Sequence, residues 1–262
     1  MRKRGVWQVI VVAGLVWLGC AAPASADTTV TARLQAINHS GVRGTASITA
    51  NDDGSLTVVI HGTGFVPGVP HAQHIHGSFG GRHYRCPSMA DDTNGDGVLT
   101  NEEGAGEYGT MYLSLTTRGD TSPKSGLAMA RMPVADASGR IDYRRRIPAS
   151  QVPAVLVRHL SEVHIVQHGI DANHNDRYDK KALGVSTFAT NMGAPGVPEE
   201  ATDPASCGVL TGAKAPLAPA GGVETGGGSG GSTNLPLAGA GAALLAGSAV
   251  LLARSAGGRR PR

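Results

Sequence analysis

Gly44-Thr45-Ala46-Ser47-Ile48-Thr49-Ala50, then Asn51-Asp52-Asp53-Gly54, then Ser55-Leu56-Thr57-Val58-Val59-Ile60-His61, follow one another without interruption. Two short runs rich in β-branched residues flank four turn formers, which predicts a β-hairpin. Upstream, residues 28–37 form a third run of the same kind. Downstream, residues 71–76, 110–116, 140–147 and 162–168 are further strand candidates, and helical periodicity is confined to residues 149–159. Short strands separated by Gly, Pro and Asp turns predict an all-β antiparallel sandwich or barrel with long loops. The folded part shows no internal repeat.

The two ends of the chain have a different composition. Arg2, Lys3 and Arg4 precede an apolar run over residues 6–18, and Ala24-Ser25-Ala26 follows. This order of charge, apolar core and small residues predicts a cleavable signal peptide over residues 1–26 and therefore export. Residues 27–210 are the expected domain. Residues 211–233, which include Gly226-Gly227-Gly228-Ser229-Gly230-Gly231-Ser232, are too poor in apolar residues to fold and read as a linker. Residues 234–262 read as an anchor: the uncharged stretch 235–253 has the length of a bilayer span, and Arg254, Arg259, Arg260 and Arg262 close the chain. Leu235-Pro236-Leu237-Ala238-Gly239 resembles a Gram-positive cell-wall sorting signal, with Ala238 in place of the Thr that a sortase attacks. Membrane anchoring and cell-wall attachment both stay open; either holds the domain at the extracellular face.

Of the 23 Lys and Arg, seven lie in the two ends, leaving 16 against all 20 acidic residues in 27–233. The exposed part is thus mildly acidic and carries no basic footprint for nucleic acid. Cys20 leaves with the signal. Cys86 and Cys207 remain, and an even count in an oxidising compartment predicts one disulfide closing a loop of about 120 residues. No Ser-His-Asp or thiol nucleophile arrangement points to a hydrolase.

His71-Ala72-Gln73-His74-Ile75-His76 is the densest functional signal. Side chains alternate along a strand, so His74 and His76 share a face and can share a metal. A second histidine-bearing strand reads Glu162-Val163-His164-Ile165-Val166-Gln167-His168. His164 and His168 share a face too, but a regular strand separates them by about 13 Å, so one ion is not expected to take both. One ligand from this strand added to His74 and His76 makes a three-imidazole site suited to copper or zinc.

With these residues in view, the chain resembles the secreted copper/zinc superoxide dismutases over most of residues 28–210. Pro67-Gly68-Val69-Pro70-His71-Ala72-Gln73-His74-Ile75-His76-Gly77, the turn Ala135-Asp136-Ala137-Ser138-Gly139, Ile165-Val166-Gln167-His168 and Ser206-Cys207-Gly208-Val209-Leu210 are similar, in order, to that family's motifs. The resemblance implies a Greek-key β-barrel, copper held by His74, His76 and His168, the Cys86–Cys207 disulfide, and superoxide as the substrate. The chain departs from the family in two ways. No His lies between Cys86 and His159, so the bridging and zinc histidines are missing, and Pro204 stands where the family has its active-site Arg. Without that Arg, capture of an anion weakens. Dismutation and non-catalytic metal binding therefore both remain open.

Two acidic loops complete the reading. Asp92-Thr93-Asn94-Gly95-Asp96-Gly97-Val98-Leu99-Thr100-Asn101-Glu102-Glu103 fits a twelve-residue calcium loop, with Asp92, Asn94, Asp96, the Val98 carbonyl and Glu103 as oxygen ligands. Its flanks, including Gly104-Ala105-Gly106, do not read as helical. Asp171, Asn173, Asn175 and Asp179 suggest a second, shorter calcium loop, although Asp176 stands at the expected Gly position. Calcium and copper are the cofactors expected.

Overall fold

In the computed structural model, which describes residues 27–79 and 83–214, the hairpin is formed by β2 (Arg43–Ala50) and β3 (Leu56–Thr63). They pair antiparallel from Arg43↔Thr63 to Ala50↔Leu56. Gly54 closes the turn at φ 78°, and the Asp53 carboxylate accepts from the Ser55 amide at 3.0 Å. Asp at this position works because its short side chain satisfies a turn amide that the ladder cannot reach.

The other strands are β1 (Thr28–Ala36), β4 (Gln73–Gly77), β5 (Thr110–Ser114), β6 (Ile141–Ile147), β7 (Val163–His168), β8 (Pro204–Val209) and β9 (Thr211–Lys214). All pairings are antiparallel, in the order β5-β4-β7-β8-β1-β2-β3-β6, with β9 on β1. The sheet curls into a half-barrel with few helices. β1 makes the bend: its first part pairs with β2, and Gln35 and Ala36 pair with β8. Residues 211–214, assigned to the linker by composition, thus form β9 at the sheet edge. The predicted signal peptide, the rest of the linker and the predicted C-terminal anchor lie outside the described residues. No helix among the described residues is long and apolar enough to cross a membrane.

Val30, Leu34, Ile48, Leu56, Val58, Ile60, Ile75, Leu113, Ile141 and Ile165 fill the inside of the curl. A fully buried side chain of this size contributes about 1.5–3 kcal/mol. A second cluster, Ile37, Leu99, Tyr108, Val166 and Cys207, lies on the opposite face of β7 and β8. Cys86 and Cys207 are bonded there, with their α-carbons 5.6 Å apart. The bond ties the segment that covers this face to β8. Asn38, at φ 55°, adds a second tie: its amide donates to the Leu99 carbonyl at 2.8 Å and accepts from the Leu99 amide at 2.6 Å.

Two helical expectations change. Residues 149–159 do not form one helix but a 3₁₀ turn, Ala149–Gln151, and a short helix α2, Ala154–Arg158. Pro153 has no N–H to donate and separates them. Conversely, the flank of the first acidic loop is helical: α1 spans Asn101–Tyr108 and contains Gly104-Ala105-Gly106. A capping box starts it, since the Thr100 hydroxyl accepts from the Glu103 amide while the Glu103 carboxylate accepts from the Thr100 amide at 3.0 Å. Gly104 is required by packing, because a β-carbon there would sit 2.7 Å from the Tyr108 hydroxyl.

Candidate metal centre

β4 lies between β5 and β7 in the sheet and is buried along its whole length. His74 stands opposite Val166, and His76 stands opposite His164. The β7–β8 register shifts between Gln167 and His168. The β4–β7 ladder stays regular, so His168, two residues beyond Val166, lies diagonally across from His74 on the same face. The ring centroids of His74 and His76 are 5.6 Å apart, and those of His74 and His168 are 5.0 Å apart. One nitrogen from each of His74, His76 and His168 falls within 4.8 Å of the others, and all three residues are buried.

Backbone carbonyls orient the rings. His74 Nε2 donates to the Gly126 carbonyl at 3.0 Å, which leaves Nδ1 facing His168 Nε2 at 3.3 Å. His168 Nδ1 donates to the Thr202 carbonyl at 2.7 Å. His76 Nδ1 is 3.5 Å from the Gly109 carbonyl, and its Nε2 is buried without a hydrogen-bond partner. An imidazole anchored by one nitrogen presents the other as a lone pair, the arrangement a metal ligand needs. Burial lowers the pKa of His74 to about 4, the Gly126 carbonyl opposing in part. Burial and then the repulsion of His74 take His168 to about 3. The rings are therefore neutral at ordinary pH. The donor set is three imidazoles, and neutral imidazole suits copper and zinc far better than calcium or magnesium.

His71 is different, although it begins the same motif. Its Nδ1 lies 2.9 Å from the His168 carbonyl and its Nε2 3.1 Å from the Val66 carbonyl, so both nitrogens face backbone oxygens and neither is turned to the cluster. The Tyr178 hydroxyl packs on it at 2.9 Å. Gly169, at φ 107°, makes room, since a β-carbon there would lie 2.0 Å from that hydroxyl. His71 thus holds the backbone that carries His168.

A cavity of about 170 Å³ opens onto the three rings, and its walls include Tyr108, Met111, Leu127 and Phe188. Close to it, the Tyr108 hydroxyl is buried without a partner, and the Asp203 carboxyl is buried beside Glu199. Burial, then repulsion from Glu199, raise the Asp203 carboxyl to about 10. Sequence reading did not find Tyr108 or Asp203, and no local pattern marks them.

The acidic loops take shape without gathering a metal-ligand group. Asp92 accepts from the amides of Gly95 and Gly97 at 2.8 and 2.9 Å, and Asp96 accepts from Val98 at 2.9 Å. Asn94 Oδ1 accepts from the Asp96 amide at 2.8 Å. Glu103 turns toward the donors of Thr93, Asn94 and Thr100. Burial alone would raise its carboxyl, but hydrogen bonds from Thr100 and Thr93 hold it down at about 2. The second loop repeats the first: Asp171 accepts from the amides of Asn175 and Asp176 at 3.0 and 2.8 Å. Asp176 takes φ 60°, as the Gly of such a loop would. Asn173 and Asn175 both donate to Asp179. Among the described residues, the group of three or more His, Cys, Asp or Glu side chains placed to hold an ion is His74, His76 and His168.

No protein-family model matches the chain, and no curated protein matches it.

Proposed function

We propose that the protein is an exported, surface-held copper-binding protein with a superoxide-dismutase-like barrel. The observation that carries this reading is the buried group His74, His76 and His168, with one nitrogen of each anchored or aimed by the backbone and the other turned inward. The strand order, with β6 beside β3 and β4 beside β7, supports a Greek-key barrel of that family's type. The disulfide supports an oxidising compartment and hence export.

Copper held by the three rings would supply one-electron exchange with a small oxygen species that enters the cavity. The residues themselves exclude bulk water, keep the imidazoles neutral and fix which nitrogen faces inward. Binding is favoured over rapid turnover. Among the described residues lining the cavity, none is Arg or Lys, and Asp203 lies just before Pro204, where the family has its Arg. An anion gains little electrostatic attraction into such a site.

The test is direct. Copper, zinc and calcium are measured in the purified protein, and superoxide decay is followed with and without His168→Ala. One copper lost in the variant supports the reading, and copper-dependent decay lost with it adds dismutation. A protein that takes up neither copper nor zinc ends it. The loops at Asp92–Glu103 and Asp171–Asp179 are proposed as calcium sites on their spacing and paired Asx turns; calorimetric titration that shows no calcium uptake removes that part alone.

A further inference from the structure

His164 was set aside by strand spacing, yet it has the features of the other inward-facing rings. It is 1 % exposed. It stands directly across the β4–β7 ladder from His76, on the same face, with ring centroids 6.1 Å apart. That separation is only 0.5 Å more than the 5.6 Å between His74 and His76. Its Nε2 is buried and has no hydrogen-bond partner. The Tyr108 carbonyl faces the ring, and Nε2 is the nitrogen left without a partner.

The end of α1 explains this geometry. The last carbonyls of a helix lack intrahelical partners. Here the carbonyls of Tyr108 and Gly109, at the end of α1, face the rings of His164 and His76. One helix end therefore aims two imidazoles. The Tyr108 ring closes over His76 at 5.2 Å and His168 at 6.2 Å. A bare, buried imidazole nitrogen is costly unless it finds a partner. Two such nitrogens, His76 Nε2 and His164 Nε2, occur on neighbouring strands of one face.

We propose that His164 supplies a fourth imidazole to the metal bound by His74, His76 and His168, through Nε2. The inference rests on the metal-binding reading above. His164 lies outside the group whose nitrogens fall within 4.8 Å of one another, so it joins by a shift of its ring, whereas the other three are preformed. Four nitrogen donors suit the tetragonal preference of Cu(II).

The test loads the purified protein with one equivalent of Cu(II) and counts coordinated imidazoles by pulsed electron paramagnetic resonance. Affinity is measured in parallel by competition with a chelator. Four imidazoles are expected in the unmodified protein, and three in His164→Gln, with copper bound more than about tenfold more weakly. Three imidazoles in the unmodified protein overturn the proposal while leaving the copper reading intact, and this count does not depend on the variant folding. Four imidazoles in a folded His164→Gln protein overturn it equally. A protein that binds neither copper nor zinc overturns both readings.

Discussion

The two halves of the curl are built on different rules. In β1, β2, β3 and β6, burial alternates with exposure: β3 reads buried and half-buried or exposed in turn from Leu56 to Thr63, and β6 shows Ile141, Tyr143 and Ile147 inward with Asp142, Arg144 and Arg146 outward. β4 and β7 are buried at every residue, and β8 at all but Val209. The first half meets water on one face. The second half is covered on its outer face by the segment that contains α1 and by the chain from Gly169 to Asp203. His74, His76, His164 and His168 all lie on that covered outer face. Function is found where the period-two pattern breaks down, because a polar side chain under a lid needs a partner and a metal can be one.

Acid is expected to break the comparison most strongly. His74 and His164 have pKa values near 4, and His168 near 3, each lowered first by burial from an ordinary 6.5. Below pH 6.5 the unfolded chain takes up protons that the folded, metal-free chain refuses. Stability is therefore fully present above about pH 6.5 and is lost as the pH falls toward about 4. At pH 5 each of these rings contributes a loss of about 2 kcal/mol. Urea midpoints of the metal-free protein from pH 7.5 to 5 measure this, and a flat profile contradicts it.

The disulfide fastens the cover over the doubly buried half. Its cysteines are 121 residues apart, for which the chain-entropy model gives about 4–5 kcal/mol. Cys86→Ser paired with Cys207→Ser should lower the unfolding free energy by that order in denaturant titrations. An unchanged midpoint would show that the covering segment holds without the bond.

Ile60→Ala probes the other half. Ile60 is fully buried, and its truncation should cost about 2–5 kcal/mol while leaving copper stoichiometry unchanged. Copper loss in a folded Ile60→Ala protein would couple two regions that are treated as separate. The smallest effect is expected on the wet face. The Arg146–Asp53 pair at 2.7 Å is largely exposed, so Arg146→Ala should leave the thermal midpoint within error.

The alternating half was legible in the sequence almost residue by residue. Ile48, Val58 and Ile60 are inward because β-branched residues spaced by two can face only one way, and Asn51-Asp52-Asp53-Gly54 can only turn. The His-any-His pair was legible for the same reason. The pairing of Cys86 with Cys207 followed from their being two in number once Cys20 is removed with the predicted signal. His168 was reached only through a family resemblance, and no family comparison stands behind that resemblance. Two local expectations failed on short-range chemistry: the Thr100–Glu103 capping box made a helix of a Gly-rich flank, and Pro153 split one that the periodicity suggested.

What the sequence determined by itself was the all-β class, the turn positions and the two strands that carry the histidines, since these follow from backbone preferences of adjacent residues. Only the tertiary structure decided which histidines meet. His168 lies diagonally across from His74, and His164 lies beside His76, because β4 and β7 pair across 88 residues of chain. His71 is withdrawn because both its nitrogens face backbone carbonyls. Such outcomes depend on which distant carbonyl reaches which ring, and spacing along a single strand carries no information about that.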